Sequence, residues 1–304
     1  MRILLVHNPK AGHDDQPDAD DLTRIIHGAG HAVTARACEE VSRSECEVFK
    51  ESCDLIVIAG GDGTAGRVAK QLLGCSVPIA FLPMGTANNL ARSLGLVGRP
   101  LAELAAGWGR APVRGIDVGT IDAPWGSEYF IEAMGAGLFT RTMLEVHAFN
   151  SLAHANTPRE KVAAALGLMR EQLRSYPARP MRLRLDGRDL SGEYVMLEAM
   201  NIRFVGPNLY VAPGCDPGDG LLDVVLVGEP EREHMLTLLA HWQDGQLLRP
   251  ELPTYRGSNL TIDWDGSALH VDDETWPPDG TWRELAPARI DVRVQANAMQ
   301  VVVP

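Results

Sequence analysis

Along the first 115 residues, short unbroken apolar runs alternate with segments whose apolar residues recur every three or four positions. An unbroken run bounded by turn residues suits a strand buried on both faces, and the 3.6 period suits a helix with one buried stripe. On that basis "RILLVHN", "HAVTARA", "DLIVIAGG" and "VPIAFLP" predict strands, and "DADDLTRIIHGAG", "SRSECEVFKES", "TAGRVAKQLLG" and "TANNLARSLG" predict the helices that follow them. Strands alternating with helices build parallel β-α-β units. Residues 1–115 are therefore expected to form an open α/β domain with its ligand site at the carboxyl ends of the strands.

From about residue 116 the period changes to two, in "GIDVGTID", "EYFIEAMG", "MRLRLDG", "EYVMLEAMN", "GLLDVVLVG", "NLTIDWD", "ALHVDDE", "RIDVRVQ" and "MQVVVP". Two helical stretches interrupt them, "PREKVAAALGLMREQLRSY" and "EREHMLTLLAHWQDG". This pattern predicts a mostly antiparallel, β-rich second domain over residues 116–304, with a helical excursion near residues 140–176. Two domains also suit a chain of 304 residues. The site is expected in the cleft between them, where polar groups from both converge.

Charge narrows the function. A net charge of −12 argues against nucleic-acid binding and against simple electrostatic adhesion to an anionic membrane. One stretch departs from that average: residues 138–190 hold nine Arg or Lys against five acids, a local excess of four positive charges. Such a stretch fits phosphate or lipid headgroups, and it fits a solvated face equally well. The five cysteines are odd in number and lack C-x-x-C spacing, so they read as reduced thiols, neither a disulfide frame nor a zinc site. The first apolar run is too short for a signal segment, and no window approaches the roughly 20 apolar residues of a membrane span. A cytoplasmic protein is expected.

The chemistry concentrates in "DLIVIAGGDGTAGRVAKQL". Gly61, Gly63 and Gly66 satisfy G-x-G-x-x-G, but they follow the third predicted strand, and the downstream "IAFLPMG" lacks the acid that a dinucleotide site places on the ribose. What remains is a strand ending in Gly60-Gly61-Asp62-Gly63-Thr64 and passing into a helix. Glycines let the backbone approach an anion, and Thr64 is a candidate cap that leaves free N–H groups for phosphate. The Asp62 carboxylate would repel phosphate, which assigns it a magnesium ion or a positioned hydroxyl.

"GGDGT" after a buried strand, "NPKAG" after the first strand and "PMGTANNLARSLG" after the fourth together resemble the diacylglycerol kinase catalytic domain. More closely, the chain is similar to the bacterial soluble lipid kinases of the diacylglycerol and sphingosine kinase superfamily. "YVAPGCDPGDGLLDVVLV" and "HVDDETW" match that family's second-domain signatures, so the resemblance spans nearly the whole chain. It implies a donor domain like those of phosphofructokinases and NAD kinases, followed by a β-sandwich-like lipid domain. NAD kinases share "GGDGT", but their next glycine motif is expected to continue differently from "GTANNLARSLG".

The resemblance implies ATP and Mg²⁺ as cofactors and a lipid at the membrane surface as acceptor. Asn8 and Lys10 are expected near the nucleotide, with Gly60 through Thr64 and Gly66 along its triphosphate, although Asn8 and Pro9 also read as a plain turn. Thr86 is expected to cap a helix and touch the nucleotide. Asp219, with the carbonyls of Asp216 and Leu221, matches the family's metal loop and suits Mg²⁺ or Ca²⁺, against the alternative of an ion-free Asx turn. Glu274 is the expected proton acceptor for the lipid hydroxyl, with Asp272 supporting it or the catalytic metal. Three positions depart from the family pattern: Gly66-Arg67 stands for Asn-Glu, Asn89 for Asp, and Asp273 for Gly. Arg67 is a candidate phosphate ligand, Asn89 a candidate partner in a capping box with Thr86, and Asp273 a loss of positive-φ tolerance. These departures keep a nucleotide- or lipid-binding pseudokinase open as the rival reading.

Overall fold

A computed structural model describes residues 1–8, 16–149, 152, 154–277 and 285–303. Contacts divide the chain into two units, Met1–Asp117 with Ala296–Pro304, and Val118–Gln295. The sequence pattern assigned all residues after 115 to the second domain, whereas residues from Ala296 onward pack with the first.

The first unit contains β1 (Arg2–His7), α1 (Ala19–Gly28), β2 (Ala32–Ala37), α2 (Cys46–Ser52), β3 (Leu55–Gly60), α3 (Asp62–Gln71), β4 (Ile79–Pro83), α4 (Asn89–Ser93) and α5 (Leu101–Gly107). The strands pair in parallel in the order β2-β1-β3-β4, with Ile3 opposite Leu55 and Ile56 opposite Ile79. Every residue of β3 is buried, which is why the strand reads as an unbroken apolar run. Strand order reverses between β1 and β3, and in open parallel sheets a ligand crevice opens at that point, beyond the carboxyl ends. Here those ends carry Asn8 and the glycine turn at Gly60 and Gly61.

The second unit begins within β5 (Val113–Ala123) and continues through β6 (Gly126–Phe130), β7 (Ala133–Gly137), α6 (Leu138–Phe149), α7 (Pro158–Leu173), β8 (Arg179–Leu185), β9 (Arg188–Asp189) and β10 (Gly192–Met200). There follow β11 (Leu222–Gly228), α8 (Arg232–Gln243), β12 (Thr254–Gly257), β13 (Asn259–Trp264), β14 (Leu269–Val271), β15 (Glu274–Trp276) and β16 (Ala288–Val302). The last strand leaves this unit and ends beside β4, where Val301 pairs with Ile79. Its period-two pattern carries no label for the sheet it joins.

Pairing within the second unit is antiparallel: β7 lies between β14 and β10, β10 pairs with β11 and β8, and β13 joins β8 to β16. The two faces of β11 feed two cores. Val225 and Val227 pack with Phe139, Leu166, Met169 and Trp242 of the helices, whereas Val224 and Leu226 pack with Leu183, Leu260 and Trp264 of the facing strands. A sheet with helices on one face and strands on the other realises the predicted sandwich-like domain.

Cys46 and Cys75 form a disulfide with their Cα atoms 5.3 Å apart, while Cys38, Cys53 and Cys215 are free and buried. This corrects the expectation of five reduced thiols. The partners are 29 residues apart and meet only because the start of α2 folds against the turn after α3, which no local spacing announces.

Candidate active site

Gly61 caps α3 with φ −85° and ψ −176°, so the chain leaves β3 extended and turns directly into the helix. The first amides of an α-helix have no intrahelical acceptor, and the helix dipole favours an anion there. The cap residue, a glycine, has no side chain to offer these amides. Thr64, expected as the cap, instead lies buried in the first turn and its hydroxyl accepts from Asn8 Nδ2 at 3.0 Å. That bond ties the end of β1 to α3. Gly63 is exposed and Gly66 half-buried on the same helix. Lys10 lies outside the described residues.

The second glycine loop closes on the first. Met84 N–H donates to the Gly60 carbonyl at 3.0 Å, and Leu90 N–H donates to Asp62 Oδ1 at 3.3 Å. Between these bonds the two backbones touch: a β-carbon on Gly61 would lie 2.8 Å from Gly85 Cα, closer than carbon atoms pack. Only glycine at both positions permits this approach. It brings "GGDGT" and "PMGTANNL" together into one backbone-lined surface at the carboxyl ends of β3 and β4.

Thr86 lies on this second loop, exposed, but it caps no helix. The cap of α4 is Asn88, in left-handed conformation at φ 54°, whose side chain accepts from Gly85 N–H at 2.7 Å and donates to the Gly85 carbonyl at 2.8 Å. Asn89 is then the first helical residue and is buried, so the Thr86–Asn89 capping box does not form. The short amide side chain of Asn88 tolerates the left-handed conformation and satisfies the turn locally. Arg67, expected on phosphate, donates to the Cys38 thiol at 3.2 Å. Burial raises the Cys38 pKa, with the Arg67 charge opposing that rise.

In the second unit, "HVDDET" is a hairpin in which Val271 pairs with Glu274 and Asp272-Asp273 form the turn. Two-residue hairpin loops demand positive φ, and here the positive value, 53°, falls on Asp272. Asp273, read as a loss of positive-φ tolerance, does not carry it. Asp272 is held from several sides. Its carboxylate accepts from Ile131 N–H at 3.0 Å and Glu132 N–H at 2.8 Å, and its own N–H donates to the Ala133 carbonyl at 2.8 Å. Asp272, expected to support Glu274 or the catalytic metal, is tied by these bonds to the backbone between β6 and β7. Glu274, two residues on, is exposed at the start of β15.

Sequence reasoning missed a polar pair behind this hairpin. Glu198 and His270 are completely buried, with Nε2 2.8 Å from Glu198 Oε2, and His270 Nδ1 lies 3.1 Å from the Asp272 carbonyl. Burial opposes the imidazolium, but the adjacent Glu198 outweighs it and raises the His270 pKa. Burial likewise raises that of Glu198, against the pull of His270. The available signal was a glutamate inside the apolar run "YVMLEAM".

In the loop "CDPGDGLLD" the carboxylate expected to bind the ion has other partners. Asp219 Oδ2 is ion-paired with Arg256, and its Oδ1 accepts from Leu221 N–H at 3.0 Å. Asp216 Oδ1 accepts from Gly218 N–H at 3.1 Å, and its carbonyl faces Asp219 N–H at 3.4 Å. The Arg256 guanidinium, reached from β12, 37 residues away, thus pairs with the carboxylate expected to bind Mg²⁺ or Ca²⁺. Among the described residues, no group of three or more His, Cys, Asp or Glu side chains could hold a metal.

A cavity of about 330 Å³ lies within the second unit, its wall including Leu144, Met181, Ile262 and Trp264, with Arg141 and Arg179 among its polar members. That volume is at the lower end for a small-molecule site. The basic stretch is partly neutralised, with Arg141 3.5 Å from Glu145 and Arg174 3.3 Å from Glu171. Among the described residues no helix is long and apolar enough to cross a membrane.

Residues 2–121 match the diacylglycerol kinase catalytic domain, and residues 145–303 match the YegS C-terminal NAD kinase beta sandwich-like domain. A protein of Stenotrophomonas maltophilia named "Probable lipid kinase YegS-like" is 31% identical over 263 residues, covering 81% of this chain and 77% of that protein. A diacylglycerol kinase of Mycobacterium tuberculosis is 25% identical, covering 96% of this chain and 94% of that one. In fold, the chain matches the crystal structure of a diacylglycerol kinase from Bacillus anthracis with a TM-score of 0.68 at 20% identity, covering 100% of this chain and 97% of the other. Yeast NADH kinase is a more distant likeness, with a TM-score of 0.51 at 11% identity, covering 100% of this chain and 83% of the other.

Proposed function

The chain belongs to the diacylglycerol kinase family, and from that premise we propose that it is an ATP- and Mg²⁺-dependent lipid kinase acting on a lipid hydroxyl in the cytoplasm. The observation that carries the reading is the contact of Gly61 with Gly85, which leaves backbone and no side-chain bulk where a triphosphate would be cradled. The first turn of α3 directs its amides at the donor phosphates. Mg²⁺ usually binds through one or two carboxylates plus substrate phosphates, so a single Asp62 beside the glycine turn is a sufficient protein ligand. When bound there, the ion would neutralise charge developing on the transferred group.

Glu274 accepts the proton of the lipid hydroxyl, the alcohol oxygen forms a bond to the γ-phosphorus, and the bond from that phosphorus to the bridging oxygen breaks to release ADP. Phosphoryl transfer is mostly positioning and charge neutralisation, so an exposed carboxylate is an adequate base. The apolar cavity supports a fatty chain as part of the acceptor. Diacylglycerol, a sphingoid base and a phosphatidylglycerol-like lipid all carry the required hydroxyl.

The test is incubation of the protein with γ-labelled ATP, Mg²⁺ and a panel of such lipids in mixed micelles. Labelled phospholipid is expected from at least one. ATP binding with no transfer to any of them would favour the pseudokinase and overturn this reading.

A further inference from the structure

We propose that His270 is a positioning residue for the hairpin that bears Glu274, acting through the carbonyl of Asp272, with Glu198 as its buried partner. The proposal rests on the reading of Glu274 as the proton acceptor. Its foundation is a row across three strands. Glu198 of β10 and His270 of β14 each stand opposite the same residue of β7, Gly135. The two side chains meet over that glycine with Nε2 and Oε2 2.8 Å apart. A β-carbon at Gly135 would collide with the Glu198 carboxylate, so the missing side chain is what makes the bond possible.

The imidazole is fixed on its other edges. Phe139 of α6 meets its ring edge-on with centroids 4.7 Å apart, and Nδ1 reaches the Asp272 carbonyl at 3.1 Å. A carbonyl only accepts, so Nδ1 carries a proton, and Nε2 shares one further proton with Glu198. The pair is then neutral overall, wherever that proton rests. The charged groups facing the ring are Glu198 from β10 and Asp272 from the turn.

A buried ion pair is weak support for stability, because apolar replacements of the same size are often at least as stable. What the imidazole supplies is direction. It holds the carbonyl of a left-handed residue whose carboxylate and N–H are separately tied to Ile131, Glu132 and Ala133. Asp272 is thereby immobilised at every polar group, and Glu274 follows two residues later on a strand of three.

Two isosteric replacements separate the two edges of the imidazole. Asparagine places its amide near Nδ1 and keeps the bond to Asp272; glutamine reaches toward Nε2 and keeps the bond to Glu198 instead. His270→Asn is expected to keep turnover within about threefold of wild type, and His270→Gln to lose about tenfold or more in kcat with KM for ATP unchanged, as small misplacements do. Hydrogen exchange across residues 269–276 is expected to rise in His270→Gln alone. Equal turnover per folded molecule and equal exchange in the two variants would overturn the proposal. Should His270→Asn fail to fold, Glu198→Gln, which leaves Nδ1 on the Asp272 carbonyl, takes its place with the same expectation. A wild type that phosphorylates no lipid defeats the kinase reading alone. Exchange then still decides the clamp, supported by faster exchange in His270→Gln and overturned by no difference.

Discussion

Replacing Gly61 with alanine adds one methyl group where the two loops of the proposed donor site touch. The new carbon would lie 2.8 Å from Gly85 Cα and 3.6 Å from Gly85 N. Non-bonded carbons settle at about 3.5–4.0 Å, so the two loops must separate by roughly 1 Å. Both partners are backbone, and no side chain can turn aside. Leu90 N–H, already 3.3 Å from Asp62 Oδ1, would move beyond hydrogen-bonding range. Overpacking of this kind costs about 1–3 kcal/mol. If the closed loops are the ATP-binding form, that strain appears as affinity, about 5- to 150-fold weaker binding at 1.4 kcal/mol per decade. Isothermal titration with Mg·ATP measures it, and circular dichroism checks the fold. Gly28→Ala is the control, because nothing lies within 4 Å of its β-carbon. Gly61→Ala binding ATP as tightly as wild type would refute the assignment of this contact to the donor site.

Asp272→Ala would leave the buried amides of Ile131 and Glu132 without their acceptor, at about 1–3 kcal/mol each; a marked fall in denaturation midpoint is expected, with no recovery in excess Mg²⁺. Unchanged stability together with Mg²⁺-rescued turnover would instead make Asp272 a metal ligand. At the Asp219 loop, chelator should shift the melting temperature of wild type and Asp219→Ala equally, because Arg256 already pairs with the carboxylate; a larger shift in wild type would reveal an ion there. Thiol titration of the unfolded, unreduced chain should find three of its five cysteines reactive. Reducing the Cys46–Cys75 bond, which closes a 29-residue loop, should cost about 3–4 kcal/mol on the chain-entropy model, and five reactive thiols at the outset would show that the bond does not form.

The strands were the legible part of this chain because each is long enough for its burial to set a period. β3 and β4 show as unbroken apolar runs, and β10 and β11 as near-continuous ones, since helices cover one face and strands the other. Short helices were less legible. "TANNLARSLG" shrinks to five helical residues because Asn88 takes a left-handed conformation, and α5 in "PLAELAAGWG" offered too little periodic length to stand out. Of the candidate site, the glycine turns could be read because glycine has a backbone reason to recur there. Their mutual contact could not, because Gly61 and Gly85 are joined only by the order of β3 and β4 in the sheet. The same limit hid Arg256 from Asp219 and His270 from Glu198, pairs that are distant in sequence and neighbours only through strand register. Asp273 shows the converse: a departure read as a loss of positive-φ tolerance falls beside the residue that carries positive φ, because the turn places it one residue earlier.

The central claim is that the glycine turn binds the donor and that Glu274 takes the proton of a lipid hydroxyl. The most direct measurement is single-turnover transfer from γ-labelled ATP to lipid by wild type and Glu274→Gln, with ATP affinity measured on the same samples. Labelled lipid from wild type is expected, with transfer roughly a hundredfold or more slower in Glu274→Gln and ATP affinity within a few fold. Wild-type transfer rates in Glu274→Gln, or a wild type that binds ATP and labels no lipid, would contradict the account.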